Sequence, residues 1–306
     1  MNIIAIIIIG ILAFLLLFLI VLGIIGYNII YKRTKKPYCM LNVSDEKFLF
    51  PLEVKEKYRE LKKIPCEEIY ILNDRKIKLY GELRRNKKNR ENPIVILFSH
   101  GFKSTGDNDL PLFDNFQLKN YDVLSIDHEG CGRSEGKHSG FGVYEEEDIQ
   151  LWVKKINEIY DHHVTIFLHG VSMGANSVLL TADRRMENVK GIIADCGFVS
   201  TYSIIHHISK LNFVAFSVCL INSIILRRNI FRYSTKNTLR NSLYPILFFH
   251  GKDDKFVPFY MNERNNRYCS SEHKFIPVAK AVHAMSYLTD SKTYEEEFDD
   301  FINKNL

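Results

Sequence analysis

The residues best suited to chemistry lie in a few short motifs, and the clearest of these motifs centres on a serine. Residues 169–174 read HGVSMG, which contains the pattern G-x-S-x-G, and they directly follow the apolar run 164–168. A serine on a tight turn between a strand and a helix has a strained backbone, and flanking glycines let that turn close because they lack a Cβ. The pattern predicts that Ser172 is a nucleophile. A turn with a purely structural role could have the same sequence pattern, so the prediction of a nucleophile depends on the neighbouring motifs.

Three further motifs each follow an apolar run typical of a strand. They are SHGF at 99–102, HGKDDKFVP at 250–258 and AVHA at 281–284. The first can direct a backbone N–H at a nucleophile, the second supplies carboxylates and the third supplies a histidine. Alone, each has an ordinary explanation as a strand-ending turn, a solvated acidic loop or a structural histidine. Together, in the order Ser, Asp, His, they predict a catalytic triad.

The elements that must position these motifs are short apolar runs, rich in β-branched residues, alternating with longer polar-patterned segments. Such an alternation predicts strands and helices in turn, and hence an α/β fold with a mostly parallel central sheet. The eight predicted strands cover 68–72, 77–83, 94–98, 122–126, 164–168, 191–194, 246–249 and 274–278. No internal repeat or low-complexity tract suggests another architecture.

With these motifs, residues 67–306 resemble the α/β-hydrolase superfamily, and more closely its bacterial serine hydrolases of the serine-aminopeptidase-like and feruloyl-esterase-like branch, which are membrane-anchored or secreted. Two further stretches carry the resemblance. Residues 127–136, DHEGCGRSEG, look like the family's D-x-R-G-x-G-x-S-x-G, and residues 194–197, ADCG, are similar to its A-D-C-G run. The sequence departs from the family pattern at Glu129, where the family usually has arginine; this is not a catalytic position.

The resemblance implies the roles of individual residues. Ser172 would be the nucleophile, His283 the general base and then the general acid, and Asp254 the carboxylate that holds the imidazole. The family pattern H-G-x-x-D-x-x-V-P selects Asp254 by register, although the neighbouring Asp253 stays open as the carboxylate that reaches the histidine.

The resemblance also implies an oxyanion hole made by backbone N–H groups. The donors would be the N–H of Met173, directly after the nucleophile, and the N–H of Phe102. This chemistry requires no metal and no organic cofactor.

The N-terminal segment predicts a transmembrane anchor. Residues 3–25 contain no charged residue and are long enough to span about 30 Å of hydrocarbon as a helix. A secretory signal peptide would need a basic start, a shorter apolar stretch and a small-residue cleavage site, and the sequence has none of these. Basic residues follow at 32, 33, 35 and 36, so the positive-inside rule predicts a cytoplasmic catalytic domain.

These observations divide the chain into an anchor at 1–31, a juxtamembrane segment at 32–66 and an α/β-hydrolase domain at 67–306 with a short helical cap at about 202–240. Within the cap, residues 211–226 are almost uniformly apolar but too short to form a second membrane span. They predict either a helix buried against the core or a cap whose apolar face lines an acyl pocket or touches the bilayer.

Composition excludes several classes of protein. The 306 residues carry a net charge of +5, and the basic residues are spread along the chain instead of forming the stripe that nucleic-acid binding needs. Six cysteines lie far apart with no C-x-x-C pair, which indicates free thiols in a reducing compartment and neither a disulfide scaffold nor a structural metal site.

The sequence therefore predicts a membrane-bound serine hydrolase that acts on an ester, thioester or amide of a small-molecule or lipid acyl substrate, in the manner of a carboxylesterase or lipase. An acyltransferase with the same triad is an alternative, as is a catalytically silent binding module on a hydrolase scaffold. The acyl group, the leaving group and the oligomeric state do not follow from the sequence.

Overall fold

The computed structural model of the chain describes residues 3–33, 52–86 and 91–306. An eight-stranded sheet with the order β1-β2-β4-β3-β5-β6-β7-β8 forms its centre. Pairing is antiparallel between β1 and β2 and between β2 and β4, and parallel at the other junctions, so the predicted mostly parallel sheet is confirmed. The strands are β1 (Glu67–Leu72), β2 (Lys78–Arg84), β3 (Ile94–Ser99), β4 (Asp122–Asp127), β5 (Thr165–Val171), β6 (Val189–Asp195), β7 (Ile246–Gly251) and β8 (His273–Val278).

Helices cover both faces of this sheet. In the described part of the chain they are α1 (Ile3–Gly26), α2 (Leu52–Leu61), α3 (Gly106–Asp109), α4 (Gln117–Asn120), α5 (Glu145–Ile159), α6 (Met173–Leu180), α7 (Thr201–Ser209), α8 (Asn212–Ile225), α9 (Thr235–Arg240), α10 (Phe259–Tyr268), α11 (Ser286–Thr289) and α12 (Ser291–Lys304). The helix α2 lies within the segment predicted to be juxtamembrane.

The central strands β3 to β7 are largely apolar because both sides of the sheet are buried there, whereas the edge strands β1 and β8 are mostly exposed or half-buried. Successive residues of β3 alternate between the two sides: Leu97 packs in the cluster that contains Trp152 of α5, whereas Ile96 packs in the cluster that contains Phe298 of α12. The carboxyl ends of the parallel strands lie at one edge of the sheet. The motifs that follow β3, β5, β7 and β8 are thereby brought to that edge.

The apolar N-terminal helix continues past α1 through one π-helical turn, Tyr27–Tyr31. The combined helix, Ile3–Tyr31, has 29 residues. Its most apolar stretch of 18 residues has a mean hydropathy of 3.5 and is not buried in the protein. Its length and composition suffice to cross a membrane, and a signal sequence at this end of a chain would have the same properties.

The helices α7 and α8 lie between β6 and β7, in the segment predicted to form a cap. A third apolar cluster joins them to the main domain and to the end of the N-terminal helix, because Val218 of α8, Met173 of α6 and Tyr31 are buried together. The following helix, α9, contributes Leu239 to the core of the sheet domain.

Candidate active site

Ser172 lies on a sharp turn between β5 and α6. Its backbone angles, φ 55° and ψ −113°, are unusual for any residue other than glycine and store strain at the nucleophile position. The two glycines of the motif make this turn possible. A Cβ on Gly170 would overlap the carbonyl oxygen of Gly174, and a Cβ on Gly174 would overlap the carbonyl oxygen of Ser99.

The structure brings Ser172, His283 and Asp254 together in one hydrogen-bonded chain. The Ser172 Oγ lies 2.9 Å from the Nε2 of His283, and the His283 Nδ1 lies 2.7 Å from the Oδ2 of Asp254. These distances suit proton transfer between the serine and the imidazole. The His283 side chain keeps 16% of its surface exposed, so water has access to the site. The catalytic roles of the three residues remain predictions.

Asp254 is the carboxylate that reaches the imidazole, whereas Asp253 is exposed. The second carboxylate oxygen of Asp254, Oδ1, accepts hydrogen bonds from the backbone N–H groups of Phe256 and Val257, each at 2.9 Å. Burial raises the pKa of Asp254, but hydrogen bonds from His250 and His283 outweigh it and lower this pKa to about 2. The carboxylate is therefore ionised across the physiological range, as an orienting acid must be.

The predicted oxyanion donors flank the nucleophile. Met173 is the first residue of α6, and N–H groups in a first helical turn have no acceptor within the helix. The turn that carries Phe102 lies against the serine, since a Cβ on Gly101 would be 3.5 Å from the Ser172 Cβ. The assignment of these two N–H groups to an oxyanion hole remains a prediction.

Asp109, which was not predicted as a site residue, supports this turn. Its Oδ2 accepts the Gly101 N–H at 2.7 Å, and its Oδ1 accepts the Ser104 hydroxyl. Burial raises the pKa of Asp109 to about 6, although both hydrogen bonds act in the opposite direction. Residues 105–109 read TGDND, which is typical of a solvated turn, so no sequence pattern indicates that this aspartate folds back eight residues onto Gly101.

The acidic residue at 129 has a partner of its own. Glu129 Oε2 accepts from the Arg75 guanidinium, with Nη2 at 2.7 Å and Nε at 3.0 Å, and from the Asn73 amide at 2.9 Å. The turn between β1 and β2 therefore supplies the positive charge in this ion pair. No sequence pattern indicates this ion pair, because the two charged residues are 54 positions apart in the chain.

The other family-like motifs hold the loops around the nucleophile. Asp127 accepts the N–H groups of Gly106 and Arg133, at 3.0 and 2.8 Å. The Asp195 carbonyl accepts the N–H of Ser172 at 2.8 Å, and its carboxylate accepts the Ser286 hydroxyl at 2.8 Å. Asp195 thus connects the nucleophile turn to the first residue of α11, three residues after His283.

One group of side chains in the described ranges has the composition of a metal site, and it overlaps the triad. Ligand atoms of Cys196, Asp254 and His283 lie within 4.8 Å of one another. The carboxylate and the imidazole already bond each other, so a metal ion would have to displace the contact that orients His283. The arrangement fits a metal-free triad better than a metal centre.

Two exposed apolar side chains lie beside His283. The Phe256 ring centroid lies 4.9 Å from that of His283, and both Phe256 and Val282 are exposed. A separate cavity of about 460 Å³ lies in the cap and contains none of the triad residues. Its lining residues are Ser200, Tyr202, Phe216, Ile230, Phe231 and Ser234.

The residues that follow the apolar helix are docked onto the main domain. Arg33 donates hydrogen bonds to the carbonyl oxygens of Ser134, at 2.6 Å, and Gly132, at 2.8 Å. The N–H of Ser139 donates to the Tyr31 carbonyl at 2.7 Å. The segment after β4 therefore holds the end of the N-terminal helix close to the site.

Comparisons with known proteins agree with this architecture. The family model described as serine aminopeptidase, S33, matches residues 90–239. The uncharacterized protein YqkD of Bacillus subtilis (strain 168) is 27% identical over 220 residues, which are 70% of this chain and 72% of YqkD. The uncharacterized protein YfhR of Escherichia coli (strain K12) is 24% identical over 212 residues, 68% of this chain and 69% of YfhR. The Pyrococcus furiosus esterase Pf2001 is structurally similar, with a TM-score of 0.62 and 20% identity over 80% of this chain and 94% of the esterase.

Proposed function

This chain belongs to the α/β-hydrolase superfamily, and from that premise we propose that it is a serine hydrolase that cleaves carboxylic esters through an acyl-enzyme. The observation that carries the proposal is the unbroken chain of hydrogen bonds from the Ser172 Oγ through His283 to Asp254. Because the serine also has the strained backbone of a nucleophile turn, its hydroxyl is pre-oriented for attack on a carbonyl carbon.

In this mechanism the Nε2 of His283 takes the hydroxyl proton as the Ser172 Oγ bonds to the substrate carbonyl carbon. The oxyanion that develops would accept hydrogen bonds from the N–H groups of Phe102 and Met173. The same Nε2 then delivers its proton to the leaving alkoxide, and the acyl group stays on the serine. A water molecule, deprotonated by the Nε2 of His283, then attacks the acyl carbon. The imidazolium returns this proton to the Ser172 Oγ as the bond between the serine and the acyl group breaks and the carboxylic acid leaves, while Asp254 stays ionised throughout.

The apolar side chains beside His283 favour substrates with a hydrophobic acyl chain. Phe256 and Val282 border His283, and apolar contact contributes about 0.8 kcal/mol per buried methylene. The ratio kcat/KM on p-nitrophenyl esters should therefore rise from acetate toward medium chains. A profile that peaks at acetate would contradict a hydrophobic acyl site.

Labelling with a fluorophosphonate probe tests the proposed nucleophile in the full-length protein. Wild-type protein should be labelled and should release p-nitrophenol from esters, whereas the Ser172→Ala variant should do neither. Correctly folded wild-type protein that resists the probe would favour the silent binding module. Faster turnover of aminoacyl p-nitroanilides than of esters would favour a peptidase, and a product that carries the acyl group on an added alcohol instead of water would favour an acyltransferase.

We also propose that the N-terminal helix is a retained membrane anchor. Arg33 and the Tyr31 carbonyl both bond the main domain, which supports a helix that stays part of the mature protein. Because basic residues follow the helix at positions 32, 33, 35 and 36, the catalytic domain would face the cytoplasm. Protease added outside intact cells should then leave the domain uncut, and digestion of the domain from outside would overturn this orientation.

A further inference from the structure

The cap helix α8 presents an uninterrupted apolar stripe to its surroundings. Phe213 and Phe216 are each 47% exposed, Ile224 is 68% exposed, and Leu220 lies between them on the same side. Spacings of three and four residues place these side chains along one helical face. Soluble proteins rarely expose such a row of large apolar side chains unless it binds something.

The adjacent side of α8 packs directly against the N-terminal helix α1. Gly23 and Gly26 are the buried residues of α1, and a Cβ on them would overlap Ile221 and Val218 of α8, respectively. Close approach of two helices at small residues is the usual packing mode inside membranes.

Polar side chains of α8 also bond the backbone of α1. The Asn222 amide donates to the Gly23 carbonyl at 3.1 Å, and the Ser217 hydroxyl donates to the Leu19 carbonyl. These groups face the helix interface and not the exposed stripe. The stripe therefore offers no polar side chain that would require water.

We propose that the exposed stripe of α8 lies in the hydrocarbon of the lipid bilayer, beside the anchor. The rings of Phe18 in α1 and Phe213 in α8 are neighbours, with centroids 6.4 Å apart, and both are partly exposed. A bilayer that surrounds Phe18 must also contact Phe213. This inference rests on the proposed anchoring of α1 and does not depend on the catalytic triad.

The length and the charge distribution of α8 are those expected of a helix immersed in one leaflet of the bilayer. The 14 residues of α8 rise about 21 Å, which is too short to cross the hydrocarbon core. Residues 211–226 contain no charged side chain, whereas Lys210 precedes them and Arg227 and Arg228 follow. Basic side chains at both ends can extend toward lipid headgroups while the apolar face stays in hydrocarbon.

Immersion would place the catalytic site at the membrane surface. The apolar cluster that buries Val218 of α8 and Tyr31 also contains Met173, the residue after the nucleophile. The adjacent helix α7 contacts the triad loop, since the His207 Nε2 lies 3.2 Å from the Lys255 carbonyl. Hydrophobic esters dissolved in the bilayer would then have a short route to Ser172.

The experiment places a tryptophan on the stripe of the full-length protein in phosphatidylcholine vesicles. The chain has one tryptophan, Trp152, which is buried in the core and provides the wild-type background. In Phe216→Trp and Ile224→Trp, phosphatidylcholine with brominated acyl chains should quench the added emission about twofold. Leu243→Trp, an exposed apolar position just before the amino end of β7, is the matched control and should not be quenched.

Two results would overturn the proposal. Emission typical of water without quenching would place the stripe in solvent, and blue-shifted emission without quenching would show that protein, such as a second copy of the chain, covers it. Fluorophosphonate labelling of the same samples reports separately on the active site. Quenching without labelling would reject the serine hydrolase and leave α8 in the membrane.

Discussion

The ammonium group of Lys103 donates a hydrogen bond to the carbonyl oxygen of Ile29, at 2.6 Å. Lys103 directly follows Phe102, the proposed oxyanion donor, and is buried. Ile29 lies in the last turn of the N-terminal helix, where carbonyl groups lack helical partners and a cation is favourable. The apolar helix is thereby connected to the turn that would stabilise the transition state.

Substitution of Lys103 tests this connection. Lys103→Met keeps most of the side-chain volume but removes the donor, so the oxyanion turn loses a charged hydrogen bond. We expect kcat on p-nitrophenyl acetate to fall about tenfold with little change in KM. The matched variant Lys252→Met, at an exposed lysine, should behave as wild type. Equal loss in both variants, or a change confined to KM, would rule out a role in positioning the oxyanion turn.

The two neighbouring aspartates should respond differently to the same change. Asp254→Asn removes the charge that orients His283, so kcat should fall by a factor of about 10² to 10⁴. Asp253→Asn changes an exposed side chain and should leave kcat nearly unchanged. Steady-state kinetics on one ester distinguish the outcomes. The reverse order would mean that another carboxylate holds the imidazole in solution.

Two glycines of the N-terminal helix provide a matched pair. Gly23→Leu would force α8 away from α1, because even a Cβ at this position overlaps Ile221. The melting temperature in detergent should fall by about 5 °C. A Cβ on Gly10 meets no atom within 4 Å, so Gly10→Leu should melt as wild type does. Identical melting of both variants would show that the helix pair contributes nothing to stability.

Asp127 should make stability depend on pH. Burial raises the pKa of Asp127 to about 6, despite hydrogen bonds from two backbone N–H groups. The folded state therefore binds a proton on the Asp127 carboxylate more tightly than the unfolded state does. As pH rises from 4 to 6 this proton is lost, and the contribution of Asp127 to the free energy of unfolding falls by up to about 3 kcal/mol.

Melting temperatures of the Asp127→Asn variant between pH 4 and pH 7 check this sign. The variant should be less stable than wild type at pH 4, because one N–H group then faces an amide N–H₂, and the deficit should shrink as pH rises. Asp253→Asn, at an exposed position, is the control and should follow the wild-type curve. A deficit that grows with pH would contradict a raised pKa for Asp127.

Local chemistry explains how much could be predicted from the sequence. Each of the central strands β3 to β7 is a short, largely apolar run that is buried on both faces, so its position follows from composition. The need for glycine at position 170 is also local, because a Cβ there would overlap the carbonyl oxygen of Gly174, four residues along the chain. The order of Ser172, Asp254 and His283 after their strands predicts where the three side chains come together.

The remaining features depend on contacts between distant parts of the chain. Spacing cannot indicate that Arg75 neutralises Glu129 or that Asp109 supports the turn at Gly101. The same holds for Gly23, which reads as one more apolar residue in the sequence and lies against α8 only in the folded chain. The sequence by itself determined the strands, the nucleophile turn and the order of the triad, because those depend on neighbouring residues. Only the tertiary structure decided which charges pair and which helix packs against the N-terminal helix, because such contacts form when the sheet brings remote segments together.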